Sequence, residues 1–243
     1  HYSGLRVFLE GLKGNKGWVK AWREPDPKPE YDIVIIGGGG HGLSTAFYLA
    51  KEFGFTNVAV LEKGWLGSGN IGRNTTIIRS NYLLPGNEPF YEFSMSLWEN
   101  LEQETNYNSM VSQRSIVNLY HTDAQRDAYV RRANAMLLAG ADAELVDAAA
   151  LRKELPFLNF DNARFPIKGG LFQRRGGTAR HDAVAWGYAR GADSRGVDVI
   201  QNCEVTGFQI ENGVCKGVET SRGPIRANKV AMCVAGSSSR VAS

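Results

Sequence analysis

The stretch YDIVIIGGGGHGLSTAFYLAKEFG, residues 31–54, decides the fold. Asp32 to Ile36 form a nearly continuous apolar run, the pattern of a parallel strand buried on both faces. A G-x-G-x-x-G spacing follows at Gly37, Gly39 and Gly42. In such a spacing the first glycine permits a tight turn and the second lets a pyrophosphate approach the backbone. The third lets the following helix pack close to the strand. The phosphates then meet a helix N-terminus, where free N–H groups and the positive dipole end favour an anion. Gly37, Gly39, Gly40 and Gly42 are therefore candidate cofactor contacts. Leu43, Phe47, Leu49 and Ala50 supply the apolar stripe that faces the sheet.

The surrounding sequence strengthens this reading. Asn57 to Leu61 read as a second strand, and Glu62 ends it, 20 residues past Gly42. A carboxylate at that place accepts hydrogen bonds from an adenosine ribose and repels a 2′-phosphate, which argues against NADP. The next run, LEKGWLGSGNIGRNTTIIRSNY (61–82), is a second glycine-rich loop with Gly64, Gly67, Ser68, Gly69, Asn70 and Gly72. A loop of that kind can wrap a larger cofactor, whereas NAD folds usually pass directly into another helix. FAD is the expected ligand.

Further along, the periodicity predicts a helix over 88–108, a strand over 111–120, a helix over 124–139, a strand at Glu144–Val146 and a short helix before LPFLNF. His121 reads as a turn residue. Short alternating pieces at 197–200, 204–210, 214–220 and 224–226, with turns at Asn212–Gly213 and Arg222–Gly223, predict a β-meander. A buried strand over 229–235 runs into the small-residue turn VAGSSS (234–239). Residues 1–30 read as an arm, rich in Gly and Lys and then in Pro, either a loose tail or a segment that lies on a partner.

GGLFQRRGGTARHDAVAWGYARG (169–191) places Arg174, Arg175, Arg180 and His181 at the start of a helix. Thr178 is the expected N-cap, with His181 two positions inside the first turn. The positive dipole end disfavours imidazolium there and so favours the neutral, nucleophilic ring. On these residues alone, a helix-capping surface histidine is the ordinary reading.

The runs GGGGHG, LEKG, GSGNIGRN, TTIIRSNY and RRGGTARHDAVAWGYAR together resemble the amine-oxidising flavoproteins of the D-amino-acid oxidase and sarcosine oxidase type. Most closely they resemble the beta subunits of heterotetrameric sarcosine oxidases. The resemblance implies an α/β fold: a Rossmann-like FAD-binding domain interrupted by an α+β substrate domain. It divides the chain into the arm 1–30, a first FAD segment 31–108, a substrate-domain segment 109–168 and a second FAD segment 169–243 that includes the FMN-attachment helix. In the family the chain continues past this point, so these residues are expected to be part of a longer protein. The implied contacts of non-covalent FAD extend over Glu62, Lys63, Gly69, Asn70, Arg73, Asn74, Thr75, Val205, Ala235 and Gly236. His181 matches the family histidine that carries covalent FMN, and Arg174, Arg175 and Arg180 would neutralise its phosphate or charge on its ring. Arg79, in IIRSNY, falls where related enzymes place an arginine near the substrate carboxylate. An arginine fork suits that role, and a surface ion pair is the other reading.

The implied reaction oxidises the N-methyl group of sarcosine, yielding glycine plus formaldehyde or a folate one-carbon unit. Electrons pass from FAD to FMN to O2, giving hydrogen peroxide. The implied partners are alpha, gamma and delta subunits of a heterotetramer, with tetrahydrofolate bound on a partner chain. The alternative is a single-FAD dimethylglycine or sarcosine dehydrogenase that passes electrons to a carrier.

Composition sets the outer bounds. The chain has 243 residues, 43% hydrophobic and 22% charged, with a net charge of +3 and no basic run interleaved with aromatics, so no nucleic acid is expected. No stretch approaches the roughly 18 apolar residues of a membrane span. Cys203, Cys215 and Cys233 are far apart in strand-like segments and read as reduced thiols, which fits the cytoplasm and suggests no metal site.

Overall fold

The computed structural model describes residues 3–82 and 86–242. In chain order its helices and strands begin with α1 (Gly4–Leu12), β1 (Glu30–Ile36), α2 (Gly40–Phe53), β2 (Val58–Leu61) and β3 (Ile77–Ile78). Next come α3 (Glu88–Thr105), β4 (Ile116–Tyr120), α4 (Asp123–Leu138), β5 (Glu144–Asp147), α5 (Ala148–Glu154), β6 (Gly169–Gln173) and β7 (Gly177–Thr178). The chain then forms α6 (His181–Asp193), β8 (Asp198–Ile200), β9 (Val205–Glu211), β10 (Val214–Thr220), β11 (Ile225–Met232) and α7 (Ser238–Ala242). These elements form two units, residues 1–71 with 188–243 and residues 72–187.

The first unit is built on a six-stranded sheet in the order β8-β2-β1-β11-β10-β9. The first four strands are parallel, and β11, β10 and β9 follow as an antiparallel meander. The apolar run behind β1 does what its pattern predicts: Val34 to Ile36 are buried, and so is every residue of β2. Tyr31, Val34, Ile36, Ala59, Leu61, Ile200, Val218, Ile225 and Ala227 form one core cluster. Leu43, Ala46, Phe47 and Ala50 bury the inner stripe of α2. Gly54 ends that helix at φ 71, a left-handed cap that glycine adopts without strain.

The meander differs from its expected form in one respect. The pieces at 224–226 and 229–235 are a single strand, β11, antiparallel to β10 at its start and parallel to β1 along most of its length. Ile225 and Ala227 are buried while Arg226 and Asn228 point out, so the polar residues mark an exposed face and not a break.

The arm is also partly ordered. Asp198, 2% exposed, draws in Lys28 Nζ (2.9 Å) and Arg23 Nη2 (3.3 Å), and it accepts a hydrogen bond from the Tyr31 hydroxyl (3.0 Å). Arg23 also reaches the Val197 carbonyl (3.1 Å). Residues 23–28 are thus tied to the sheet and not a loose tail, whereas α1 buries none of its side chains.

The second unit carries the three-stranded antiparallel sheet β4-β6-β5 and the ribbon β3–β7. Leu171 packs with Ala133, Met136 and Ala141 on one face of β6, and Phe172 packs with Val146 and Leu151 on the other. Residues 169–173, read from sequence as part of the second FAD segment, therefore lie at the centre of this sheet. Residues 72–108 and 174–187 also fall in this unit. The strand expected over 111–120 is confined to 116–120, and Ser112 bridges separately to Thr178. No described helix is long and apolar enough to cross a membrane, and the described residues contain no cluster of three or more metal-ligating side chains.

The buried anchor at Asp198 has a titratable signature. Burial, with the Asp198 carboxylate adding to it, pushes the Tyr31 phenol up to about 12 from an ordinary value of 10.0. The folded state keeps the proton where the unfolded chain releases it, so this stability is complete below pH 10 and lost as pH rises through about 12. In alkaline denaturation the protein is expected to lose on the order of 2 kcal/mol over that window. Tyr31→Phe should flatten this part of the curve; an unchanged slope would contradict the assignment.

Candidate functional site

The β1–α2 turn is shaped by two close approaches within the protein and one open position. Gly37 has φ +107, and a Cβ there would sit 2.5 Å from the Cys233 carbonyl oxygen. A Cβ on Gly42 would sit 2.0 Å from the Gly37 carbonyl oxygen. Both glycines are demanded by packing of the protein on itself. Gly39 is different: a Cβ there would meet nothing within 4 Å. Its φ of −84 is open to any residue. The fold does not require glycine at this place, but a ligand lying against the backbone would. Gly39 is the N-cap of α2 and makes no side-chain cap, so the first N–H groups of the helix face that space.

Glu62 stands just past β2. Its Oε2 accepts the Gly38 N–H and its Oε1 the Gly64 N–H, both at 2.9 Å. A carboxylate has about four acceptor positions, so two stay available for ribose hydroxyls. The backbone bonds hold it rigidly against the glycine turn. The following loop is tied by Leu66 N–H donating to Gln201 Oε1 (2.8 Å) and by Ser68 N–H donating to the Trp65 carbonyl (3.0 Å). Gly69 is open on its Cβ side, and Asn70 starts a short 3-10 helix. These residues fit a bound adenine dinucleotide.

The other expected FAD contacts have the following places. Lys63 is exposed. Val205 begins β9 and packs against the core cluster of the sheet. Ala235 and Gly236 are exposed in a short 3-10 helix, with Ala235 at φ 47. Arg73, Asn74 and Thr75 belong to the second unit and are exposed, with Asn74 Oδ1 accepting the Thr76 N–H (2.7 Å). Thr76 itself adopts φ 63, an uncommon conformation for a β-branched residue.

His181 is the first residue of α6, not the third helical residue. Thr178 does not cap the helix; its N–H and carbonyl are bonded to Ser112 (3.0 and 2.8 Å). The last residue before the helix, Arg180, has its N–H on the Ser109 carbonyl (2.9 Å). In the first turn Asp182 Oδ1 accepts the Ala183 N–H (2.8 Å). The Nδ1 of His181 is buried without a hydrogen-bond partner among the described residues, and the residue as a whole is half-buried.

The three arginines expected around FMN are engaged by carboxylates. Arg180 pairs with Asp182 (2.8 Å) in an exposed pair beside His181. Arg174 donates to Glu144 (2.7 Å) and to both oxygens of Glu154 (2.7 and 3.0 Å). Arg175 donates to Glu92 (2.7 Å) and to both oxygens of Glu99 (2.8 and 3.1 Å). These hydrogen bonds hold Arg174 and Arg175 above the ordinary arginine value and Glu99 and Glu154 below the ordinary carboxylate value. A phosphate would compete with two glutamates at each of these two arginines.

Arg79 follows β3. Its guanidinium lies 4.9 Å from the Tyr82 ring centroid, a cation–π contact. Arg132 donates to the Asn81 carbonyl nearby, and burial lowers its own proton affinity. The bonds of Arg132, Ser80, Gln173 and Glu92 were not evident in the sequence, because polar residues on a strand or helix give no local sign of what they bond.

The FAD-dependent oxidoreductase (DAO) family model matches residues 32–243. The chain belongs to this family. Among its relatives, the sarcosine oxidase subunit beta of Rhizobium meliloti is 73% identical over 99% of this chain and 58% of its own length. The same subunit of Rhodobacter capsulatus is 48% identical over 99% of this chain and 58% of its own. A solved structure, the L-proline dehydrogenase of P.horikoshii, superposes with a TM-score of 0.82 at 26% identity, covering 88% of this chain and 55% of that one. The chain therefore spans a little over half the length of these two curated relatives.

Gly42 and Gly39 give a discriminating test of the cradle. Gly42→Ala is expected to destabilise the fold by about 2 kcal/mol or more, because a backbone atom must move. Gly39→Ala should leave the apoprotein melting temperature within a few degrees and weaken FAD binding at least about 10-fold. Equal FAD affinity in Gly39→Ala and the parent would show that no ligand occupies this space.

Proposed function

We propose that this chain is the flavin-carrying part of an enzyme that oxidises the N-methyl group of sarcosine to glycine plus formaldehyde or a folate one-carbon unit. The observation that carries the reading is the 73% identity to a sarcosine oxidase beta subunit over 99% of the chain. That similarity favours an oxidase subunit over a single-FAD dehydrogenase. When bound, FAD supplies the electron acceptor for the C–N bond and FMN the route onward to O2, giving hydrogen peroxide.

The chain's own residues bind and orient. Gly37, Gly39, Gly40 and the α2 N-terminus hold the FAD pyrophosphate, and Glu62 takes the ribose. Lys63, Gly69, Asn70, Val205, Ala235 and Gly236 complete the first unit's surroundings of the cofactor. Arg79 orients the substrate carboxylate with its guanidinium fork. His181 provides the attachment point for FMN. With Nδ1 buried, Nε2 is the nitrogen left to form the bond, and the neutral ring carries the lone pair it needs. Arg180 is the nearest cation in sequence for the flavin's negative charge, with Asp182 setting its fork. The partners are alpha, gamma and delta subunits, with tetrahydrofolate on one of them, in the cytoplasm.

Two substitutions in the full-length protein with its partner subunits separate these roles. His181→Ala should abolish covalent flavin, read as fluorescence on a denaturing gel, while FAD content stays at one per chain; loss of both would make the helix start structural. Arg79→Lys should raise the Kd of a carboxylate inhibitor roughly 10- to 100-fold, the scale of a lost bidentate charged hydrogen bond. Unchanged inhibitor binding would remove Arg79 from the substrate site.

A further inference from the structure

The polar side chains behind the Arg79 strand and the His181 turn form one connected set. Gln173, the last residue of β6, is 1% exposed, and Ser80 is 2% exposed. Gln173 Oε1 accepts the Ser80 N–H (3.0 Å), and its Nε2 donates to Ser80 Oγ (2.5 Å) and Asp142 Oδ1 (3.3 Å). Ser80 Oγ donates onward to Glu92 Oε1. The other oxygen of Glu92 accepts from Arg175 Nη1 (2.7 Å), and the Arg175 N–H donates to Asp142 Oδ2 (2.8 Å). Gln113 closes the set, its Nε2 donating to Glu99 Oε1 (3.0 Å) and the Arg175 carbonyl (2.8 Å).

The ends of this network matter because of what adjoins them. Ser80 is the residue after Arg79. Arg175 opens the segment that leads through β7 into His181. The two segments are also joined directly: Ile77 pairs with Thr178 and Ile78 with Gly177, and the Ala179 N–H donates to the Thr76 carbonyl (3.1 Å). Ribbon pairing alone fixes the first end of the Arg79 strand. Beyond Ile78 the ladder stops, and the Gln173–Ser80–Glu92–Arg175 bonds take over. Here Gln173 and Ser80 are buried and Glu92 and Arg175 partly exposed; buried polar groups are costly unless satisfied, and when satisfied they select one geometry over its neighbours. An apolar packing of β6 on the strand would bury the same surface without that selectivity.

We propose that Gln173, Ser80, Glu92 and Arg175 are positioning residues that hold the Arg79 strand and the His181 turn in one frame, so that carboxylate recognition and flavin attachment are set together. This rests on the roles given to Arg79 and His181 above. It assigns Arg175 to the frame and leaves the flavin's charge to Arg180.

Ser80→Ala removes only the hydroxyl joining Gln173 to Glu92, and Ser80→Thr restores it. In the flavin-loaded holoenzyme the alanine variant is expected to keep its FAD and to exchange amide hydrogens over 174–183 about 10-fold faster, the mark of a locally loosened segment. It should also bind acetate about 5-fold more weakly, a loss on the scale of one hydrogen bond, and carry less covalent flavin, with threonine restoring each property. Unchanged exchange over 174–183, or weaker acetate binding without faster exchange, overturns the proposal. If the parent holoenzyme carries no covalent flavin, the attachment reading falls, and the exchange and acetate measurements still decide the frame. Should Ser80→Ala fail to fold, Glu92→Gln, which keeps the shape and loses the charge on Arg175, is read by the same two measurements with the same outcomes.

Discussion

The approach of Gly42 to the Gly37 carbonyl oxygen governs the first unit. With no side chain between them, α2 starts directly above the end of β1 and aims its N-terminal N–H groups at one place. Glu62 is drawn to the same place by the Gly38 and Gly64 N–H groups. The anion end and the ribose end of a dinucleotide are therefore positioned by contacts to the backbone of the glycine turns, before any ligand arrives. Such a site is preorganised: its charged and polar groups are already satisfied or aimed, and binding does not have to order them.

The second unit works by a different rule. Arg79 lies on irregular backbone just past a two-stranded ribbon too short to be rigid, and His181 opens α6 just beyond the ribbon's other strand. Order there comes from side chains, with Arg174 and Arg175 each held between two glutamates and Gln173 buried against Ser80. Exposed ion pairs contribute little one at a time, and networks anchored by a buried group contribute more. The division of labour is plain: backbone geometry shapes the glycine turn of the first unit, and side-chain chemistry orders the second.

That division explains what the sequence revealed. The cradle was legible because its signals recur at short fixed offsets: an apolar strand, three glycines at set spacings and an acid at the end of the next strand, although the contact that demands Gly37, the Cys233 carbonyl, is distant in sequence. The meander was legible as alternation, but β11 read as two strands because Asn228, between the two pieces, interrupts its apolar residues. GGLFQ gave no sign of its sheet, since burial on both faces looks the same beside β1 as between β4 and β5. Thr178 looked like an N-cap because it precedes a helical pattern, yet its backbone was already taken by Ser112. The arginine cluster read as an anion site because its counter-charges, Glu92, Glu99, Glu144 and Glu154, are all distant in sequence. The family resemblance identified the histidine; the structure shows what surrounds it.

The central claim is that the chain carries two flavins by two different means, one cradled by backbone and one bonded to His181. Acid precipitation of the full-length protein with its partner subunits, followed by absorbance and peptide mass spectrometry, tests it most directly. The account requires one extractable FAD per chain and one FMN retained on the peptide that contains His181. Recovery of all flavin in the supernatant as FAD, with an unmodified His181 peptide, would contradict it.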